Sequence, residues 1–205
     1  MSCWALVPVK ARAEGKSRLA PVLGSPARIE LVRSMLEHVL GVLSAAPGID
    51  HVAIASPERD RVPSDIHLLP EQGRGLNRAL GRAVATLKRL GAHEVLVLPG
   101  DLPCVGTDDV AVLLARMRAG GCALASDRQG TGTNAIALDL RRLGPMGFRF
   151  LLGGNSFARH VRQARALGLD PQIARTPGLG FDLDEPQALG AFRTVHRPDA
   201  MRQAS

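Results

Sequence analysis

The 205-residue chain has no tyrosine, and its aromatic fraction is 3%. Single-stranded nucleic acid is normally gripped by stacking bases on aromatic rings. That scarcity argues against a nucleic-acid-binding module, although 26 Lys and Arg against 19 Asp and Glu leave a formal charge of +7. Charge of this sign suits an anionic partner, whether nucleic acid, an acidic membrane surface or a phosphorylated small molecule. A solvated arginine-rich face would produce it with no partner at all. Lysine is scarce as well, because Lys10, Lys16 and Lys88 are the whole set. Cys3, Cys104 and Cys122 form no CxxC pair and are odd in number, which excludes a disulfide framework or a Cys-based zinc site as the organising feature and fits a reducing cytoplasm. The apolar run Trp4 to Val9 is broken by Pro8 and falls far short of the ~20 residues of a spanning helix, so neither a membrane nor export is expected.

Short apolar runs bounded by turn residues alternate with stretches of helical period. This is the pattern of an α/β sandwich, a sheet covered by helices on both faces. Strands are expected at Trp4 to Val9, Val52 to Ala55, Ile66 to Leu69, Val95 to Leu98, Ala123 to Ser126 and Asn134 to Leu138. The first long helix is announced by Ser25 as N-cap, Pro26 at the first helical position and Ile29, Val32, Met35, Leu36, Val39, Leu40 and Leu43 at spacings of three and four. Further helices are expected at Leu76 to Leu90, from Thr107 with Asp108 and Asp109 in the first turn, at Ser156 to Leu167 and at Glu185 to Val195. Residues 1–196 read as one domain and 197–205 as a frayed polar tail.

The loop after the first strand carries Lys10, Arg12, Lys16 and Arg18 and feeds a helix, a place where α/β proteins hold phosphates. Gly15-Lys16-Ser17 resembles the end of a kinase P-loop, but Lys10 stands where that motif needs glycine. Asp101, in Leu98-Pro99-Gly100-Asp101-Leu102-Pro103, ends an apolar strand in a proline-stiffened turn. It reads as a metal ligand or a turn cap. Asp182 and Asp184 lie two apart, on one side if the chain is extended, an arrangement that suits Mg²⁺; a helix start is the alternative. Gly130-Thr131-Gly132-Thr133-Asn134 and Gly153-Gly154-Asn155-Ser156 are loops whose amides and hydroxyls could hold an anion. His160 reads as a surface or capping histidine. Asn77, just after Gly75, could cap the helix that follows.

Six pieces occur in a characteristic order: Val7-Pro8-Val9-Lys10 through Leu19, Gly75 to Leu80, Leu98 to Pro103, Gly132 to Ala135, Ser156 to His160, and Asp182-Leu183-Asp184. In this the chain resembles the 2-phospho-L-lactate guanylyltransferases of coenzyme F-420 biosynthesis, within the MobA-like nucleotidyltransferases. The resemblance implies a three-layer sandwich with a mixed, mostly parallel Rossmann-like sheet. It also implies transfer of GMP from GTP to a small phosphorylated carboxylic acid (2-phospholactate, phosphoenolpyruvate or 3-phosphoglycerate) with release of pyrophosphate. On that resemblance Lys10, Lys16, Arg18 and Asp101 are catalytic, with Glu71, Gly75 and Asn77 on GTP: Glu71 would read guanine, whose N1–H and exocyclic amine one carboxylate can accept, and Asn77 would contact base or ribose. Thr133, Gly153 and Ser156 hold the acceptor, and Asp101, Asp182 and Asp184 hold Mg²⁺. A homodimer and hand-off of the product to a downstream transferase are compatible with it. Gly100, where many relatives carry Ala or another small residue, and Gly154-Asn155, where Pro-Asp or Pro-Glu is usual, depart from the family pattern, and the second departure leaves the acceptor open. A molybdopterin or sugar phosphate is the alternative acceptor, and a P-loop-like kinase or a basic nucleic-acid-binding protein the more distant alternatives.

Overall fold

The computed structural model describes residues 2–9, 19–57, 66–70, 75–181 and 183. In chain order the elements are β1 (Ser2–Pro8), α1 (Ser25–Ala45), β2 (His51–Ser56), β3 (His67–Pro70), α2 (Leu76–Arg89), β4 (Ala92–Val97), α3 (Thr107–Gly120), β5 (Gly121–Ser126), β6 (Thr133–Asp139), α4 (Ser156–Ala166), β7 (Asp170–Ile173) and α5 (Pro177–Gly180). The strands form one sheet in the order β3-β2-β1-β4-β6-β5-β7. Only β6 runs against its neighbours; β1, β2, β3, β4, β5 and β7 are parallel to one another through the ladders and through β6.

Alternation along β1 shows the three layers. Cys3, Ala5 and Val7 pack with Val39 and Leu43 of α1 and Val110, Leu113 and Met117 of α3. Trp4 and Leu6 pack on the other face with Leu80, Ala83 and Leu87 of α2 and Ala164 of α4. A strand covered on both faces must be apolar throughout, which is why the central strands read as continuous apolar runs. A third, small cluster joins Leu19, Met35 and Leu183, with Leu31, Val32 and Phe181 packed against it. Ile29, expected on the apolar face of α1, is 43% exposed; among the described residues Leu31 and Val32 of the same turns pack on this small cluster. The N-cap of α1 is Gly24 rather than Ser25, with the proline inside the first turn as expected.

Two elements escaped the sequence reading. β7 is a four-residue edge strand containing Pro171, and an edge is where a strand tolerates proline. α5 is a single turn of Pro-Gly-Leu-Gly. The turn is held by Asn134, whose side-chain amide donates to the Leu179 carbonyl at 2.9 Å. It lies close to the start of α3, where Asp109 caps by accepting from the Gly106 amide at 2.7 Å.

At the edge where the parallel strands begin, Glu94 and Asp139 face each other across the β4–β6 ladder, both nearly inaccessible. Two opposed carboxylates would repel. Arg118 bonds Glu94 at 2.8 Å, and Arg141 bonds Asp139 at 2.8 Å, holding the Asp139 carboxyl below its ordinary range. These buried acids serve the fold, at the opposite edge from the candidate site.

Close approach makes two glycines testable. A Cβ at Gly178 would stand 2.6 Å from the Cys104 carbonyl oxygen and overlap Asp109 Oδ2, whereas one at Gly100 would meet only the end of Leu36 at 2.9 Å. Gly178→Ala should therefore cost about 2 kcal/mol in a denaturant titration, and Gly100→Ala under ~1 kcal/mol, since a flexible side-chain terminus can move where a backbone carbonyl cannot.

Candidate active site at the strand switch point

From β1 the chain winds outward to β2 and β3, then crosses back to β4 on the other side of β1. Connections leaving adjacent parallel strands in opposite directions open a crevice at their carboxyl ends, and this is where α/β sheets bind ligands. The Val9 amide still donates to Ala55 at 2.9 Å and the Leu98 amide to Leu6 at 3.1 Å, so both strands reach that edge in register. The described chain leaves β1 through Val9; the turn after β4 carries Asp101, half-buried just beyond Gly100.

The antiparallel strand adds to the same edge. Val97 pairs with Ile136, so the beginning of β6, Thr133, lies beside the end of β4. The β5–β6 hairpin that delivers Thr133 is built around Asp127. Its carboxylate accepts from the amides of Thr131 at 2.9 Å and Gly132 at 2.7 Å and from the Thr131 hydroxyl at 3.3 Å. The sequence reading offered these amides to an anionic ligand; the structure commits them to Asp127. A Cβ at Gly132 would lie 2.5 Å from that carboxylate, so the residue is a glycine for space.

The start of α4 docks here too, its Phe157 amide donating to the Thr131 carbonyl at 3.0 Å. The preceding loop turns through Gly153 at φ 121° and Asn155 at φ 57°. Three side chains pin it. Asn77, in the first turn of α2, donates to the Leu152 carbonyl at 3.1 Å and accepts its amide at 2.8 Å; the N-cap of that helix is Gly75. Arg159 donates from Nη2 to the carbonyls of Leu151 at 2.7 Å and Gly154 at 2.9 Å. His160 accepts the Leu151 amide on Nε2 at 2.8 Å and contacts the Thr133 hydroxyl through Nδ1 at 2.9 Å. Ser156 is buried, its amide turned to Gly153 at 3.1 Å.

His160 corrects the expectation of a surface histidine. It is 0% exposed and stacks on Phe148 at 5.7 Å. Burial, and secondarily the neighbouring Arg159 charge, lowers its pKa to about 4. Its position was available in the helical period, since Phe157, His160, Val161 and Ala164 fall on one face. Asp127 also had a signal, an Asp opening a turn with glycine three residues later.

Of the sequence-derived site residues, Asp101, Gly75, Asn77, Thr133, Gly153 and Ser156 all lie at this one edge. Gly75 precedes α2 with φ 86°, a conformation that favours glycine. Lys10, Lys16, Arg18, Glu71, Asp182 and Asp184 lie outside the described residues, as do the expected helix at Glu185 to Val195 and the tail. Leu19 and Leu183, which adjoin the basic loop and the Asp182–Asp184 pair in sequence, share one buried cluster. Among the described residues no three His, Cys, Asp or Glu side chains are grouped to hold a metal, and no helix is long and apolar enough to cross a membrane.

Because folded His160 takes its proton near pH 4 and the unfolded imidazole near 6.5, protons bind preferentially to the unfolded chain between those values. Stability should therefore be complete above pH 6.5 and fall as the pH drops towards 4, by up to about 3 kcal/mol at 1.4 kcal/mol per pH unit. Denaturant midpoints at pH 7 and 4.5 should show that drop, and His160→Gln should make it smaller.

A family model described as "Guanylyl transferase CofC like" matches residues 3–200 of the chain. The phosphoenolpyruvate guanylyltransferase of Sphaerobacter thermophilus is 38% identical, covering 92% of this chain and 91% of that protein. The enzyme of the same name from Chloroflexus aggregans is 36% identical, over 94% and 97%. Among solved structures, a protein described as a nucleotide-diphospho-sugar transferase from Desulfovibrio desulfuricans superposes with a TM-score of 0.80 at 19% identity, over 100% of this chain and 92% of that one. A 2-C-methyl-D-erythritol 4-phosphate cytidylyltransferase from Thermus thermophilus gives 0.60 at 16%, over 96% and 100%. At such identities the structures share the fold alone, whereas the family model and the relatives reach nearly the whole sequence: the chain belongs to the CofC-like guanylyltransferases, a family of nucleotidyltransferase enzymes.

Proposed function

We propose that this chain transfers GMP from GTP to the phosphate of a small phosphorylated carboxylic acid, with phosphoenolpyruvate the first acceptor to test, and releases pyrophosphate. The convergence of the exits of β1 and β4, the start of β6 and the loop before α4 on one crevice carries this reading. For the acceptor, support comes from the names of the relatives. The resemblance of the sequence motifs supports a place in coenzyme F-420 biosynthesis, in the cytoplasm, with product passed to a downstream transferase.

The nucleophile is a phosphate oxygen that is already anionic, so the reaction requires no base. It forms a bond to the α-phosphorus of GTP while the bond from that phosphorus to the bridging oxygen breaks, and pyrophosphate leaves with the electron pair. The barrier is the approach of two polyanions in line, and alignment with charge neutralisation is what lowers it. In this reading Lys10, Lys16 and Arg18 bind the triphosphate at the exit of β1. Glu71, Gly75 and Asn77 take the nucleoside, with one N–H of Asn77 uncommitted among the described residues. Thr133 and Gly153 face the acceptor's carboxylate, with buried Ser156 behind them at the start of α4. The carboxylates of Asp101, Asp182 and Asp184 are the hard oxygen donors Mg²⁺ takes, and Asp101 at the exit of β4 fits that role. Bound magnesium would neutralise phosphate charge and template the displacement.

Incubation with GTP, Mg²⁺ and phosphoenolpyruvate, 2-phospholactate or 3-phosphoglycerate separately should yield a guanosine diphospho-adduct by mass with at least one acid. GTP left intact with all three overturns the reading. Asp101→Ala should release pyrophosphate at least about 100-fold more slowly with an unchanged melting curve; release at the wild-type rate would remove Asp101 from the site.

A further inference from the structure

His160 and Thr133 pose a question of proton placement. A backbone N–H can only donate, so Nε2, 2.8 Å from the Leu151 amide, must accept. An imidazole whose Nε2 accepts carries its proton on Nδ1, and at 2.9 Å that proton goes to the Thr133 hydroxyl oxygen. The hydroxyl has then used a lone pair towards the ring, and its own hydrogen must turn elsewhere. The other hydroxyl of the hairpin is spent, since Thr131 donates to Asp127. The ring cannot swing away, being wholly buried and stacked on Phe148.

We propose that His160 is a positioning residue which, locked as its Nδ1–H tautomer by the Leu151 amide, presets the Thr133 hydroxyl as a hydrogen-bond donor to an anionic oxygen of the acceptor. This rests on the reading of Thr133 as part of the acceptor site. An unconstrained hydroxyl serves donors and acceptors alike. A preset one selects groups that only accept, which describes a carboxylate or phosphate oxygen. The same ring joins the β6 start to the loop at Leu151, fixing the spacing of the two walls of that subsite.

The free protein offers a test that needs no turnover. Ring ¹⁵N shifts at pH 7 should show His160 protonated on Nδ1 and bare on Nε2; the Nε2–H tautomer or an imidazolium overturns the proposal whatever the acceptor proves to be. With whichever acid yields the adduct, His160→Gln keeps an acceptor for Leu151 but loses the donor to Thr133. It should raise the acceptor KM about 10-fold, the scale of one hydrogen bond to a charged group, and leave the GTP KM unchanged. Thr133→Val should do the same and Thr133→Ser should not. The double variant His160→Gln, Thr133→Val should be no worse than Thr133→Val alone. An unchanged acceptor KM in His160→Gln, an equal rise for GTP, or additive effects would each refute it. His160→Asn, which can return an N–H to the Nδ1 position, should recover most of the lost affinity and provides the comparison should His160→Gln fold poorly. Failure of all three acids to react with the wild type counts against the proposed function and leaves the tautomer measurement to decide this one.

Discussion

The hydrogen-bonded ladder between β1 and β4 holds the rest of the arrangement in place. Both strands are buried on both faces, and their register runs from Cys3 opposite Glu94 to Leu6 opposite Val97. Parallel neighbours lie about 4.8 Å apart, so the chain leaves at residues 9 and 98 side by side although the two points are far apart in sequence. Because β2 and β6 lie on opposite flanks of this pair, the connections diverge and leave the end of the ladder open. Gly100 lets the turn after β4 lie close to Leu36 of α1, which keeps Asp101 near the sheet edge. A slip of one residue in this ladder would exchange the faces of Trp4 and Ala5 and separate the two exits together.

How much of this can be read from residues alone depends on which physical signal each feature leaves. Six strands and the first four helices leave strong apolar periodicity, and all are found within a few residues of where it points. The direction of β6 leaves none, because Ala135 to Leu138 is equally apolar read either way; its antiparallel pairing comes from the short hairpin that joins it to β5, not from its composition. β7 has a proline and one isoleucine, and it persists because Gly121 to Leu124 offers it a ladder. A Cβ at Gly120 would collide with the Asp170 carbonyl, so the pairing needs that glycine. The candidate site was legible as a set of motifs in order but not as contacts. Nothing in Asn77 or Arg159 says that each holds the backbone of residues 151–154, since such bonds join positions up to 75 residues apart.

The two edges of the sheet solve opposite electrostatic problems. Where the parallel strands begin, Glu94 and Asp139 are buried acids matched by Arg118 and Arg141, with Arg142 at 3.6 Å from Asp139. Where they end, the polar groups of the described residues mostly serve to shape backbone. Asp127 holds a hairpin, Asp109 caps α3, Asn134 holds α5, and Asn77, Arg159 and His160 hold one loop. On the proposed reading a site for two polyanions gains from this, because a rigid frame keeps cationic groups and donors in place without reorganising as charge moves.

The same rigidity bears on choosing among acids. On the proposed reading the acceptors differ by a methyl, a methylene or a hydroxymethyl group, and apolar pockets separate such differences by only about 1 to 3 kcal/mol. Their common feature is a carboxylate beside a phosphate, so recognition of the class must come from donors in fixed positions, and recognition of the member from the space around them. Donors are set by the hairpin at Thr133. On the same reading, space is set by the loop at residues 151–155, which turns on Gly153 and on Asn155 in a left-handed conformation. A loop pinned from α2 and α4 cannot adjust its width to each acid by flexing. Its backbone path, more than the identity of any side chain pointing into the crevice, should therefore decide which acid fits.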